Sequence, residues 1–194
     1  MLEWSRIERR PAATAKSGKE EIQVFTNGSV RNGLVDIGIS VWTGGQEHWT
    51  RESAVGEASR LNPHLAETGA ILEVVNAMHL SNRSPRPNTR NVTIYSDCQA
   101  ALKVFERPGM QSGQCIVCEV VNNVHYLANK GYQIQLSWIP GHSGIVGNER
   151  AYQLAMKATE PGREVVTVVG RHNVQADTAH ALERGTEGEA RGGM

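Results

Sequence analysis

Paired cysteines, long apolar runs, aromatic residues and an excess of either charge are all scarce in this sequence, and each scarcity closes off a class of protein. Three cysteines, an odd number, are too few for a disulfide scaffold and agree with a reducing, intracellular setting, cytoplasmic or nuclear. No stretch approaches the roughly 20 apolar residues that cross a bilayer. The opening segment MLEWSRIERRPAATAKSGKE has no apolar core of signal-peptide length, so no membrane partner is expected. Twenty Lys plus Arg balance twenty Asp plus Glu, so no global field draws the chain to nucleic acid or anionic lipid, and any polyanion site must be local. Aromatics make up only 5%, yet four of them are Trp, and an apolar share of 39% is enough for a globular core. A length of 194 residues suits one domain.

What is present begins at Glu21. Residues 1–20 mix charge, Pro, Ala and Ser without periodicity and read as a flexible arm. EIQVFTN (21–27) reads as a strand, GLVDIGISVW (33–42) after the Asn32-Gly33 turn signal as a second, and QEHWTRES (46–53) after Gly44-Gly45 as a third, together an antiparallel meander. The period then changes to 3.6 in HLAETGAILEVVNAMHL, where Leu65, Leu72, Val75 and Met78 recur with Ala66, Ala70 and Ala77 between them. The segment SNRSPRPNTR is a loop, NVTIYSD a strand ending in an acid, and CQAALKVFE a helix broken by RPGMQSG. Cys115 and Cys118 share a helix with Val117, Val120, Val121, Val124 and Leu127 and lack a second pair, so their C-x-x-C reads as structural. On that helix Asn123 and His125 read as surface residues. YQIQLSWIP returns to period two, with Tyr132, Ile134, Leu136 and Trp138 on one face; GHSGIVG is a loop, and NERAYQLAMKA a last helix. The order βββαβααβα implies a mixed five-stranded α/β sheet flanked by helices. Residues 161–194 read as an extension, partly disordered, in which EVVTVV suits a strand and NVQADTAHALERG a short helix.

Acids at strand ends and on helix faces turned to one edge of such a sheet are where divalent cations are held for phosphodiester chemistry. Glu67, early in the first helix, and Asp97, at the end of NVTIYSD, are placed to converge there. FTNGS, AETGAI, IYSDCQAAL, GMQSGQ and SWIPGHSGIVGNERAYQLA, five ordered blocks over residues 21–158, resemble the ribonuclease H family, and in particular the domain that follows reverse transcriptase in fungal-type non-LTR retrotransposons. The resemblance implies a ribonuclease H-like fold over residues 21–160. It also implies metal-ligating roles for Glu67 and Asp97 and a mobile-loop role for His142, assisting proton transfer or product release. In the family the first block carries an acid where this chain has Asn27, and the last carries one where this chain has Tyr152.

That departure sets the expectation for chemistry. Two carboxylates cannot offset two adjacent Mg²⁺ ions; a neutral amide oxygen bridges cations poorly and a phenol is a worse ligand still. One Mg²⁺ or Mn²⁺ at most, bound weakly, is expected, with hydrolysis severely reduced or absent. The first role that follows is an impaired module that binds RNA/DNA hybrid or other nucleic acid. The second is a cleft lined by Asn27, Glu67, Asp97, His142 and Tyr152 that takes a small-molecule ligand for metal-independent acid–base work. The third is a residual one-metal hybrid ribonuclease. Blander readings stand beside these. Asp97 suits the cap of the following helix, Tyr152 suits packing filler, and Trp138 suits core. Arg83, Arg86 and Arg90 suit a solvated loop, and Asp177 a carboxylate folded back from the tail.

Overall fold

The computed structural model describes residues 21–59, 63–81, 90–106 and 113–160. Their elements follow the anticipated order: β1 (Ile22–Arg31), β2 (Leu34–Thr43), β3 (Gln46–Glu57), α1 (Pro63–Ser81), β4 (Asn91–Ser96), α2 (Gln99–Glu106), α3 (Gln114–Asn129), β5 (Gln133–Trp138) and α4 (Val146–Ala158). The arm at 1–20, Arg83, Arg86 and everything proposed for 161–194, Asp177 included, lie outside the described residues.

One five-stranded sheet runs in the order β3-β2-β1-β4-β5. The first three strands pair antiparallel, while β4 pairs parallel with both β1 and β5. The β1–β2 hairpin closes on Asn32 and Gly33, both at positive φ (53° and 75°), the twist that suits a two-residue hairpin. This tight turn lets β1 continue four residues beyond Asn27, further than its apolar run suggests. Likewise β3 extends to Glu57, because a register shift at Val35/Asp36 absorbs an extra residue and lets the pairing resume.

Alternation along β1 and β2 divides the two faces. Val24, Val35, Ile37 and Ile39 join α1, α2 and α3 in the larger core, which also takes Ile71, Val75, Ile94, Leu102 and Leu127. Sandwiched between sheet and α3, α1 is buried from Leu65 to Val75, more completely than one apolar stripe requires, and Ala77 is left exposed. On the opposite face α4 lies over β1, β2 and β3, with Phe25, Ile139 and Ala151 as a second core. Tyr132, Ile134, Leu136 and Trp138 pack on the larger core as their alternation implies.

Close approach of α4 depends on Gly38. A Cβ there would lie 2.5 Å from the Ala155 backbone nitrogen and closer still to the Ala151 carbonyl oxygen. Both are backbone atoms that yield only if the helix lifts. Gly38→Ala is expected to cost about 3 kcal/mol, seen as a lower urea midpoint at unchanged slope. An unchanged midpoint would mean that α4 is loosely seated.

One surface assignment is corrected. His125 is exposed, but Asn123 is buried, because it faces α1 rather than water. Its Nδ2 donates to Asn76 Oδ1, and its Oδ1 accepts from His79 Nδ1 at 2.6 Å, a polar ladder between two helices that satisfies the amide without solvent. Cys115 and Cys118 lie on α3, and none of the three cysteines forms a disulfide.

Candidate active site

Parallel pairing of β1 with β4 ends at Thr26↔Ser96; of the next residues, Asn27 stays in the sheet, paired with Gly38 of β2, while Asp97 leaves it beside Asn27. Glu67 reaches the same end from α1. The helix comes in close because residue 28 is glycine, where a Cβ would stand 2.7 Å from the Glu67 nitrogen. The Gly28 N–H donates to Glu67 Oε1 at 2.8 Å and the Ser96 hydroxyl to Oε2 at 3.1 Å. Both carboxyl oxygens are therefore held, and the side chain is 4% exposed.

Asp97 turns toward α4 rather than capping α2. Asn148 Nδ2 donates to its Oδ2 at 3.2 Å, while the Asp97 carbonyl accepts from Trp138 Nε1 at 3.0 Å. Trp138 is thus half-buried against the core and also pins the backbone of an acid. The first turn of α2 is served by Cys98, whose carbonyl accepts from the Leu102 N–H and whose own N–H donates to Ser96 Oγ. Ser96 consequently joins Glu67 to the start of α2, a link that no motif announces.

The loop after β5 closes over Asp97: a Cβ on Gly141 would lie 2.8 Å from Asp97 Oδ2. His142 follows, exposed and at φ 50°, and its ring meets Tyr152 edge-on with centroids 5.2 Å apart at 90°. His142 comes one residue after Gly141 and Tyr152 one helical turn after Asn148, the two residues that approach Asp97. Half-buried Tyr152 packs on the loop histidine.

Burial sets the charge of this pocket. Desolvation pushes the Glu67 carboxyl up to about 8, the nearby negative charge of Asp97 adds to the rise, and the Gly28 and Ser96 hydrogen bonds recover only part of it. Metal-free, Glu67 is mostly protonated at neutral pH. Cys98, 3.6 Å from His64 Nδ1, is raised by burial first and then by Glu67 and Asp97, so its thiolate is disfavoured. Among the described residues no three His, Cys, Asp or Glu side chains gather as a metal cluster. Two buried amide oxygens, Asn27 Oδ1 and Asn148 Oδ1, lack a hydrogen-bond partner. Sequence reasoning overlooked Ser96 and Asn148, although Asn148 lies within the GNERAYQLA block, and it overlooked buried Asp36, held by the Ser29 N–H and hydroxyl.

This sheet order, with helices on both faces, an acid just after β4 and a second reaching it from α1, defines an α/β protein of ribonuclease H-like architecture. Residues 19–160 match the family model described as RNase H, and the chain belongs to that family. Its fold is similar to that of RNase H1 from the archaeon Halobacterium salinarum (17% identity over 71% of this chain and 96% of that one, TM-score 0.52). It is also similar to the N-terminal RNase H domain of a Mycobacterium tuberculosis protein (15% identity, 72% and 99%, TM-score 0.53). A third similar structure is LC11-RNase H1, from compost, solved with an RNA/DNA hybrid (13% identity, 72% and 99%, TM-score 0.53).

Proposed function

We propose that this domain binds RNA/DNA hybrid at the end of its sheet while hydrolysing it poorly or not at all, and that it descends from a retroelement polyprotein of the non-LTR type. The observation that carries the reading is the donor set: among the described residues Glu67 and Asp97 are carboxylates near enough to interact at the end of β4, and α4 carries the Tyr152 phenol where the family's block has an acid. Ancestry is supported by the wording of the five blocks, and the binding half by family membership and by the hybrid held in LC11-RNase H1.

A divalent cation of the kind the family uses, Mg²⁺ or Mn²⁺, would be held by Glu67 and Asp97, with the unpartnered Asn27 Oδ1 as a neutral third oxygen. When bound it would supply Lewis acidity and an activated water. The donors fit one such ion, whose two positive charges the two carboxylates match; they do not fit two, which would leave two charges uncompensated beside buried groups. Without the second ion, the attacking and leaving oxygens lack a shared clamp. His142, exposed at the rim, remains placed to exchange a proton with solvent.

Fluorescence anisotropy with a labelled hybrid tests the binding half. Affinity should fall with added salt on a shallow log–log slope, corresponding to few phosphate contacts in a chain of zero net charge. Equal affinity for hybrid, duplex DNA and an unrelated polyanion, or no binding at low salt, would reject it. Turnover in Mg²⁺ at the speed of an ordinary ribonuclease H would reject the other half.

A further inference from the structure

Position 152 supplies no carboxylate from α4, but one turn earlier, on the same face, the helix presents Asn148. This side chain is 2% exposed. Its Nδ2 donates to Asp97 Oδ2 at 3.2 Å, which places the amide at the acid pair, and its Oδ1 has no partner. Asn27, 6% exposed, brings a second unpartnered amide oxygen from the middle of β1, just past its pairing with β4. Buried carbonyl oxygens left without a donor are costly and rare. One belongs to the side chain that donates to Asp97, and the other to the residue that follows the Thr26↔Ser96 pair on the neighbouring strand.

We propose that Asn148 is a metal ligand, its Oδ1 joining Asn27 Oδ1, Glu67 and Asp97 around a single hard divalent cation. The α4 ligand thereby moves one helical turn toward the helix N-terminus and changes from carboxylate to amide. The inference rests on the one-cation reading of the site given above and assigns it a residue. Two carboxylates and two neutral amide oxygens give the bound ion a net charge of zero, and amide oxygens suit a cation that accepts variable coordination. Mn²⁺ meets that description better than Mg²⁺, which insists on octahedral geometry and keeps its waters.

Mn²⁺ titration of the full chain, followed by electron paramagnetic resonance and by water-proton relaxation, tests this without hybrid or turnover. Wild type should bind one Mn²⁺. Asn148→Ala should weaken binding roughly tenfold or more, and its bound Mn²⁺ should relax water faster, because a water replaces the lost oxygen. Asn148→Asp, which restores an anionic oxygen, should bind more tightly than wild type. Tyr152→Phe should leave affinity and relaxation unchanged. No Mn²⁺ binding by wild type, or an Asn148→Ala variant that weakens binding with the same relaxation per bound ion, would overturn the assignment. The second result would make Asn148 a positioning residue for Asp97. Neither result bears on hybrid binding, which anisotropy reads separately.

Discussion

An Asn27→Asp, Tyr152→Asp double variant should cleave a labelled RNA/DNA hybrid on the order of 100-fold faster than wild type or more in Mg²⁺. The first substitution puts an acid on β1 beside Asp97, at the first position past the Thr26↔Ser96 pair. The second brings a fourth anion from α4 at the edge of the His142 loop. The pocket would then hold four carboxylates, enough to neutralise two cations. Each single variant supplies three, so the gain should be strongly non-additive, with most of it appearing only when both are present. Loss of fold is not a concern at position 152, where the side chain is half-buried and its described ring contact is with an exposed loop residue. Tyr152→Phe keeps that contact and serves as the inactive control. If wild type and the double variant cleave at the same rate, anion count does not limit this site and the reading fails at its root.

Sequence pattern carried the topology because each local signal agreed with the sheet. Asn32-Gly33 fixes a tight hairpin, Tyr132 to Trp138 alternate toward one core, and the change from period two to 3.6 after Glu57 marks where helices begin. It also set Glu67 and Asp97 near one another, since the end of β4 and the early turns of α1 are topological positions. Contacts between elements distant in sequence were not legible. Asn123 looked like surface because its partners, Asn76 and His79, belong to a helix more than forty residues earlier. Asp97 looked like a cap because α2 begins just after it, whereas α4 offers an amide donor that local pattern does not reveal. Asn148 and Ser96 were hidden for the same reason: a side chain's worth depends on which oxygen it faces. The charge state of Glu67 was equally hidden, being a property of burial.

That charge state gives the second large effect. With its folded-state carboxyl at about 8 rather than 4.5, Glu67 keeps its proton in the folded protein over a pH range in which the unfolded chain releases it. Stability of the metal-free protein should therefore be greatest below the unfolded pKa, fall as pH rises between those two values, and level off above the upper one. Glu67→Gln preserves the shape and can still accept from the Gly28 N–H, but it has no proton to lose. The variant should match wild type near pH 4.5 and exceed it at pH 9 by on the order of 4 kcal/mol. In a chain of this size that is on the order of 10 °C in Tm, read by calorimetry in chelator. Mn²⁺ favours the ionised carboxylate and should raise the wild-type Tm at high pH while leaving Glu67→Gln nearly unmoved. Parallel pH profiles for the two proteins would show that Glu67 ionises as an ordinary carboxylate. The buried pocket at the strand ends would then be wetter than its packing implies, and the argument that two anions suit one cation would have to begin from a different charge.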